Sequence, residues 1–166
     1  KNLKNSCFVV VSKSGNTIET IANLNLVLSK IKTKNKLIII TEISDNSLFH
    51  LANKFDAEII EHKNYIGGRY SVLSESGMFP AELMGLKAEK FRNLEKLIND
   101  KIFSSCLIKN VSTIYSLFLK NVSNSVILNY NSNLNGLCEW YKQIVSESLG
   151  KKGNGITPII SNCPKD

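Results

Sequence analysis

Hydrophobic positions in the first sixty residues alternate between short continuous runs and helically spaced singles. Phe8 to Val11, FVVV, is an unbroken run that predicts a buried strand, and Ile18, Ile21, Leu24 and Leu28 behind it predict a helix. Lys36 to Thr41, KLIIIT, reads as a second strand, uniformly apolar as parallel strands are. Ser44-Asp45-Asn46-Ser47 starts a short helix over Leu48 to Phe55, and Ala57 to Glu61 is a third strand. Strand, helix, strand, helix, strand with short connections predicts an α/β protein. Its parallel sheet has right-handed crossovers and helices on both faces, giving three layers. Ligands in such sheets bind at the carboxyl ends of the strands.

The later pattern is less regular. Ile66-Gly67-Gly68-Arg69-Tyr70-Ser71 is a glycine-bearing turn, followed by a helix to about Met84 that Phe79-Pro80 interrupts or restarts. Leu86 to Ile98 reads as one amphipathic helix, with Phe91, Leu94 and Ile98 on one side. Cys106 to Leu119 is more apolar and is expected to be buried. The polar stretch Asn121 to Asn124 marks a boundary, dividing the chain into domains 1–120 and 121–166. Ser125 to Tyr130, SVILNY, opens the second part as a strand. Leu134 to Leu149 is a helix stopped by Gly150, a residue suited to a left-handed cap. Ser161 to Asp166 is expected to be polar coil. A start at Lys1 with a strand close behind, and this polar end, suggest an excerpt of a longer protein.

Chemistry concentrates at three places. The first strand breaks into Ser12-Lys13-Ser14-Gly15-Asn16-Thr17 before the helix, with Gly15 free to take an unusual backbone angle. Hydroxyls, the Lys13 ammonium and the unpaired first N–H groups of the helix can surround a phosphate. The same residues can equally serve only to cap the helix. The loop is not a Walker A loop, because the Gly-Lys-Ser/Thr ending is missing. Arg69, after two glycines, suits an anionic or enolate oxygen, or else pairs with a surface carboxylate as a turn arginine. Gln143 and Glu147, four apart, share a helix face. Glu147 lies in the last turn, where the helix dipole raises a carboxylate's pKa toward a general base's range while Lys151 and Lys152 oppose it. The alternative is a solvated helix-end carboxylate.

Composition narrows the classes. Hydrophobic residues are 43% and charged residues 21% of 166, and the net charge of +7 comes from lysines scattered singly. No basic stripe with interleaved aromatics indicates nucleic acid, and no segment reaches the length of a membrane span. The excess charge fits small anionic substrates. Cys7, Cys106, Cys138 and Cys163 form no C-x-x-C pair, which points to buried free thiols in a reducing cytoplasm. His50 and His62 are read as surface or packing residues.

Three motifs in order carry a family resemblance. SKSGNTIET (Ser12 to Thr20), GGRYSVLS (Gly67 to Ser74) and QIVSESLGKKGNG (Gln143 to Gly155) resemble the phosphoglucose isomerases. The first also resembles the wider sugar-isomerase (SIS) group, and Ser74 to Arg92 has the flavour of the bacterial branch. The resemblance covers nearly all of this chain but only a middle part of the family's length. It implies an SIS-like α/β fold, incomplete, with 1–120 in a first SIS domain and 121–166 beginning a second. It implies aldose–ketose isomerisation between glucose 6-phosphate and fructose 6-phosphate through an enediolate. Ser12, Lys13, Ser14 and Thr17 would hold the phosphate, and Gly68 would let the backbone approach the sugar. Gln143 would orient the sugar, Glu147 would be the base and Arg69 would stabilise the enediolate. The family's Gly-Gly-Ser segment before the first motif, and its ring-opening histidine and lysine after the last, have no counterpart here. The resemblance further implies no metal or cofactor, a homodimer for the full-length protein, and weak or no activity for this part alone.

Overall fold

A computed structural model describes residues 6–31 and 36–162 of the chain. The chain divides by packing into two compact units, residues 1–92 and 93–166. This division falls ahead of the 120/121 boundary read from polarity, because the long helix before Asn121 groups with the second unit.

In the first unit, β1 (Cys7–Val11), α1 (Ile18–Leu28), β2 (Lys36–Thr41), α2 (Ser47–Lys54) and β3 (Glu58–Glu61) follow the expected alternation. The three strands form one parallel sheet in the order β1-β2-β3, with Val9 beside Ile38 and Ile39 beside Ile59. β2 is central, and Leu37 to Thr41 are all buried. Leu24 of α1 and Leu48 and Ala52 of α2 pack with Leu37 and Ile39, and Ile38 and Ile40 on the opposite face are buried as well. That two-sided burial is why the strand carries no polar alternation. Ile18, expected on the inner helix face, is instead 79% exposed, since it stands at the open first turn of α1.

Beyond β3, Gly68–Leu73 forms a 3₁₀ turn, and α3 (Glu75–Leu83) follows after the extended Ser74. Pro80 lies inside α3 without ending it; the helix forgoes only the rung to Ser76, and Met84 still bonds Pro80 O. The single helix expected over Leu86 to Ile98 is two short ones, α4 (Ala88–Arg92) and α5 (Glu95–Ile98), the second in the second unit. Neither has a buried residue, so no packing offsets the poor propensity of Asn93 between them.

The second unit continues with α6 (Lys101–Phe118), β4 (Asn124–Asn129), α7 (Asn135–Leu149) and β5 (Thr157–Asn162). β4 and β5 pair in parallel around α7, with Val126 beside Ile159. Ser161 and Asn162 belong to β5 rather than to a coil, while residues 163–166, with Cys163, lie outside the described residues. α6 was expected to be buried and is not: Ile108 is 67% exposed, and Leu107, Val111 and Tyr115 are also open. Its apolar residues line one side of an open apolar cavity of about 460 Å³ facing Tyr141, Val145 and Leu149 of α7. Of the described cysteines, all free thiols, Cys138 is buried, whereas Cys7 on an edge strand and Cys106 on α6 are exposed.

Gly150 caps α7 differently from the expectation. Its φ is −74°, not left-handed, and its N–H bonds Ser146 O at 2.9 Å. A Cβ there would lie 2.4 Å from that oxygen, so close approach, not backbone angle, selects glycine.

The burial contrast predicts a stability contrast. Ile39→Ala should cost about 2–5 kcal/mol, and Ile108→Ala should stay within about 0.5 kcal/mol, both read from urea midpoints. Equal losses would mean that the α6 face is covered in solution.

Candidate functional site

The sheet register brings the loops after β1, β2 and β3 to one carboxyl edge. Their backbone groups have left the strand ladders and need other partners. Ser12 N–H donates to Ile40 O at 3.1 Å, and Glu42 N–H (3.1 Å) and the Thr41 hydroxyl (3.3 Å) both donate to Lys13 O. Leu48 N–H reaches Gly15 O at 3.0 Å, while Asn16 Oδ1 accepts from Ser47 N–H (3.0 Å) and Ser47 Oγ (2.8 Å). The first loop is thus sewn to the second along its whole length.

Gly15 makes the seam possible. Its φ is +65°, and a Cβ there would fall 1.8 Å from Asn46 Oδ1, the oxygen that caps α2 through Phe49 N–H. Asn46 also donates to Glu42 O and Ser44 Oγ, and it is buried.

The two helix starts at this edge differ. Asn46 caps α2, but no side chain caps α1. Thr17 occupies the N-cap position with its hydroxyl turned to Ser12 Oγ, 2.8 Å away. Ser12 is buried beneath the loop and Ser14 is exposed. Ser14 Oγ accepts from Asn16 N–H at 3.3 Å, which leaves the hydroxyl's own proton unspent by that bond. Lys13 directs its ammonium sideways, to Asn64 O at 2.8 Å and Glu42 Oε1 at 3.5 Å. The edge can therefore offer an anion hydroxyl and backbone N–H donors, with the Lys13 charge held beside them by two fixed oxygens.

The third loop runs from His62 into the glycine turn. His62 N–H donates to Thr41 O at 2.8 Å. Lys63 bonds the Glu61 carboxylate, which holds its ammonium above the usual lysine pKa and so cationic. Arg69 lies in the 3₁₀ turn, half-buried, with Gly68 exposed just before it. A Cβ on Gly68 would meet nothing within 4 Å. His50 is elsewhere, at the surface, with Nε2 2.6 Å from Asp45 Oδ1.

In the second unit Gln143 and Glu147 both lie exposed on α7, as their spacing predicts, and Gln143 Nε2 donates to Glu147 Oε1 at 3.1 Å. The turn after the helix folds back tightly, with Gly153 and Gly155 at φ of +74° and +117°. Ser12, Lys13, Ser14, Thr17, Gly68 and Arg69 therefore belong to the first unit, and Gln143 and Glu147 to the second. Sequence reading did not assign Thr41, Glu42, Asn16 and Asn46 to the site. Asn16 was visible only as a member of the hydroxyl loop, and the local signal for the others was the polar stretch that begins at Thr41. Among the described residues no group of three or more His, Cys, Asp or Glu side chains forms a metal site, and no helix is long and apolar enough to cross a membrane.

A parallel sheet with its polar loops at one carboxyl edge, followed by a second parallel β–α–β unit, defines an open α/β protein of the kind that binds ligands at that edge. The family model of phosphoglucose isomerase matches residues 1–160, and the chain belongs to that family. It is 33% identical to glucose-6-phosphate isomerase of Methanocaldococcus jannaschii, over 99% of this chain and 43% of that protein. The enzyme of Leptospira interrogans is 31% identical over 98% and 39%, and that of Mycoplasma capricolum 32% identical over 93% and 39%. The chain spans about two fifths of the length of these curated relatives. The fold resembles the crystal structure of a hypothetical protein from Thermus thermophilus, with a TM-score of 0.80 at 24% identity, over 97% of this chain and 42% of that one.

Gly15→Ala should cost about 2 kcal/mol or more, since the left-handed angle is penalised by roughly 1–2 kcal/mol and displacing the Asn46 cap adds about 1. Chemical denaturation checks this, and a stable alanine variant would mean the Gly15–Asn46 contact is looser than it stands here.

Proposed function

We propose that this chain supplies the sugar-phosphate grip and the proton-transfer base of an aldose–ketose isomerase interconverting glucose 6-phosphate and fructose 6-phosphate. The observation that carries the reading is the family match over residues 1–160. The uncapped start of α1, beside Ser12, Ser14 and Thr17, supports it. A loop meant only for capping would use its hydroxyls on the helix, as Asn46 uses its side-chain oxygen on α2.

In this reading the phosphate oxygens accept from Ser14 and Thr17 hydroxyls, from the backbone N–H of Lys13 and from the first turn of α1. Ser12 orients the Thr17 hydroxyl. Gly68 leaves the space its missing side chain would fill for the sugar. Glu147 removes the C2 proton of the open-chain aldose, and the C–H electrons move into a C1–C2 double bond as the carbonyl oxygen becomes an enediolate. Arg69 stabilises that oxygen. The hydroxyl proton of O2 then passes to O1 as the C2 carbonyl forms, and return of the proton from Glu147 to C1 completes the ketose. Gln143 acts through Glu147, fixing its carboxylate, and orients the sugar. A positioned base of this kind contributes roughly 10²–10⁴-fold. The reading includes a homodimer for the full-length protein, a cytoplasmic location, a role in glycolysis and gluconeogenesis, and no cofactor, nucleic-acid or membrane partner. Descent from a first SIS domain over 1–120 and a second over 121–166 belongs to it as well. A non-catalytic sugar-phosphate-binding module is the competing reading, since the chain spans only two fifths of its relatives' length.

Titration with fructose 6-phosphate, beside an assay coupled to glucose 6-phosphate formation, separates the two. Glu147→Gln should keep sugar-phosphate binding and lower any turnover by roughly 10²-fold or more. Turnover that is lost in Glu147→Gln supports the isomerase over the binding module. Binding without turnover in the unaltered chain fits an isomerase part that lacks its ring-opening groups as well as a binding module. Turnover that survives Glu147→Gln removes Glu147 from its role. Gly68→Ala tests the sugar contact. Because nothing in the protein lies within 4 Å of the new methyl, stability should hold while fructose 6-phosphate affinity falls. Unchanged affinity would take the sugar away from Gly68.

A further inference from the structure

One buried polar cluster in the first unit takes no part in the chemistry above. His62, the first residue after β3, is 2% exposed, and its N–H bond to Thr41 O places it next to the hydroxyl that holds Lys13 O. Its Nδ1 lies 3.1 Å from Lys63 O and 3.3 Å from Glu75 Oε1. The Lys63 carbonyl can only accept, so Nδ1 carries the proton. Its Nε2 is buried with no hydrogen-bond partner among the described residues, as are Glu75 Oε1 and Ser76 Oγ, so His62 and Glu75 meet as a close polar contact rather than an aligned hydrogen bond.

Glu75 is the first residue of α3, directly beyond the 3₁₀ turn that carries Arg69. The His62–Glu75 contact therefore closes the ends of the segment 62–75. Inside that segment the turn is stiffened by Ser71 Oγ on Gly68 O (2.7 Å) and by Ser74 Oγ on Ser71 O (2.7 Å). A stiff turn whose loop is closed at its base has few places to go. An apolar pair would close the loop with less desolvation, but without the attraction between a ring N–H and a carboxylate oxygen 3.3 Å apart.

We propose that His62 and Glu75 are positioning residues that close the Arg69 loop and hold the Gly68–Leu73 turn in register with the anion loop. That Arg69 then meets the sugar rests on the function proposed above; the closure itself does not.

The test compares His62→Leu and Glu75→Leu with His62→Asn, whose Nδ2 takes the place of Nδ1, and with Glu75→Gln, which keeps the acceptor. Amide hydrogen exchange should rise about tenfold over residues 66–74 in both leucine variants, stay unchanged in β1 and β2, and return toward normal in His62→Asn and Glu75→Gln. His62→Gln, with its donor at the Nε2 position, should not recover. Fructose 6-phosphate affinity should fall about tenfold in the leucine variants while inorganic phosphate binds within about twofold of normal. Faster exchange throughout the first unit would mean mere structural loss and overturn the proposal, as would unchanged exchange in the turn. If the unaltered chain binds neither ligand, the proposed function fails while the exchange comparison still decides the closure.

Discussion

Beyond Ser12 the backbone leaves the ladder with β2, and the shape of the hydroxyl loop follows from where its polar groups go. They go to the loop after β2: Lys13 O takes two donors from Thr41 and Glu42, and Gly15 O and the Asn16 side chain take the start of α2. This exchange works only if the two loops touch, and they touch only because Gly15 has no side chain where Asn46 stands. One missing Cβ thus links the cap of α2 to the geometry of the hydroxyls before α1. The arrangement also frees α1 from side-chain capping, because the backbone around Thr17 is held from outside the helix. An anion arriving at that helix start meets donors already in place, which limits the ordering cost of binding.

What the sequence made legible was whatever has a local period. The KLIIIT run is β2 to the residue, because burial on both faces favours the unbroken apolar stretch Leu37 to Ile40. The hydroxyl loop was legible for the same reason, lying between a clear strand and a clear helix. Its partners were not, because Thr41, Asn46 and Ser47 meet it across roughly thirty residues of chain that no periodic pattern reports. His62 and Glu75 were hidden in the same way. β5 was missed because TPIISN is short, carries Pro158 and follows a glycine-rich turn, so turn signals outweighed its apolar pair. Helix α6 shows the limit from the other side. Its residues were read as apolar and therefore buried, but an apolar run says nothing of what stands against it, and the helix leaves that face open.

That exposed face bears on how the two halves of the proposed chemistry depend on packing. The first unit encloses Leu24, Leu37 to Ile40, Leu48 and Ala52, and its loops after β1, β2 and β3 are tied together by hydrogen bonds. Among the described residues of the second unit, the buried apolar side chains are Cys138 and Pro158, and α6 leaves its apolar face open over a cavity. Gripping a phosphate needs only the first of these units, since its donors sit on the better-packed framework. Moving a proton needs a carboxylate held within about 0.5 Å of its working position by well-packed supporting residues. Gln143 fixes Glu147 along the helix but cannot fix the helix itself. In the proposed reading, phosphate affinity therefore depends on the packing of the first unit and turnover on that of α7. The base depends on packing that the grip does without.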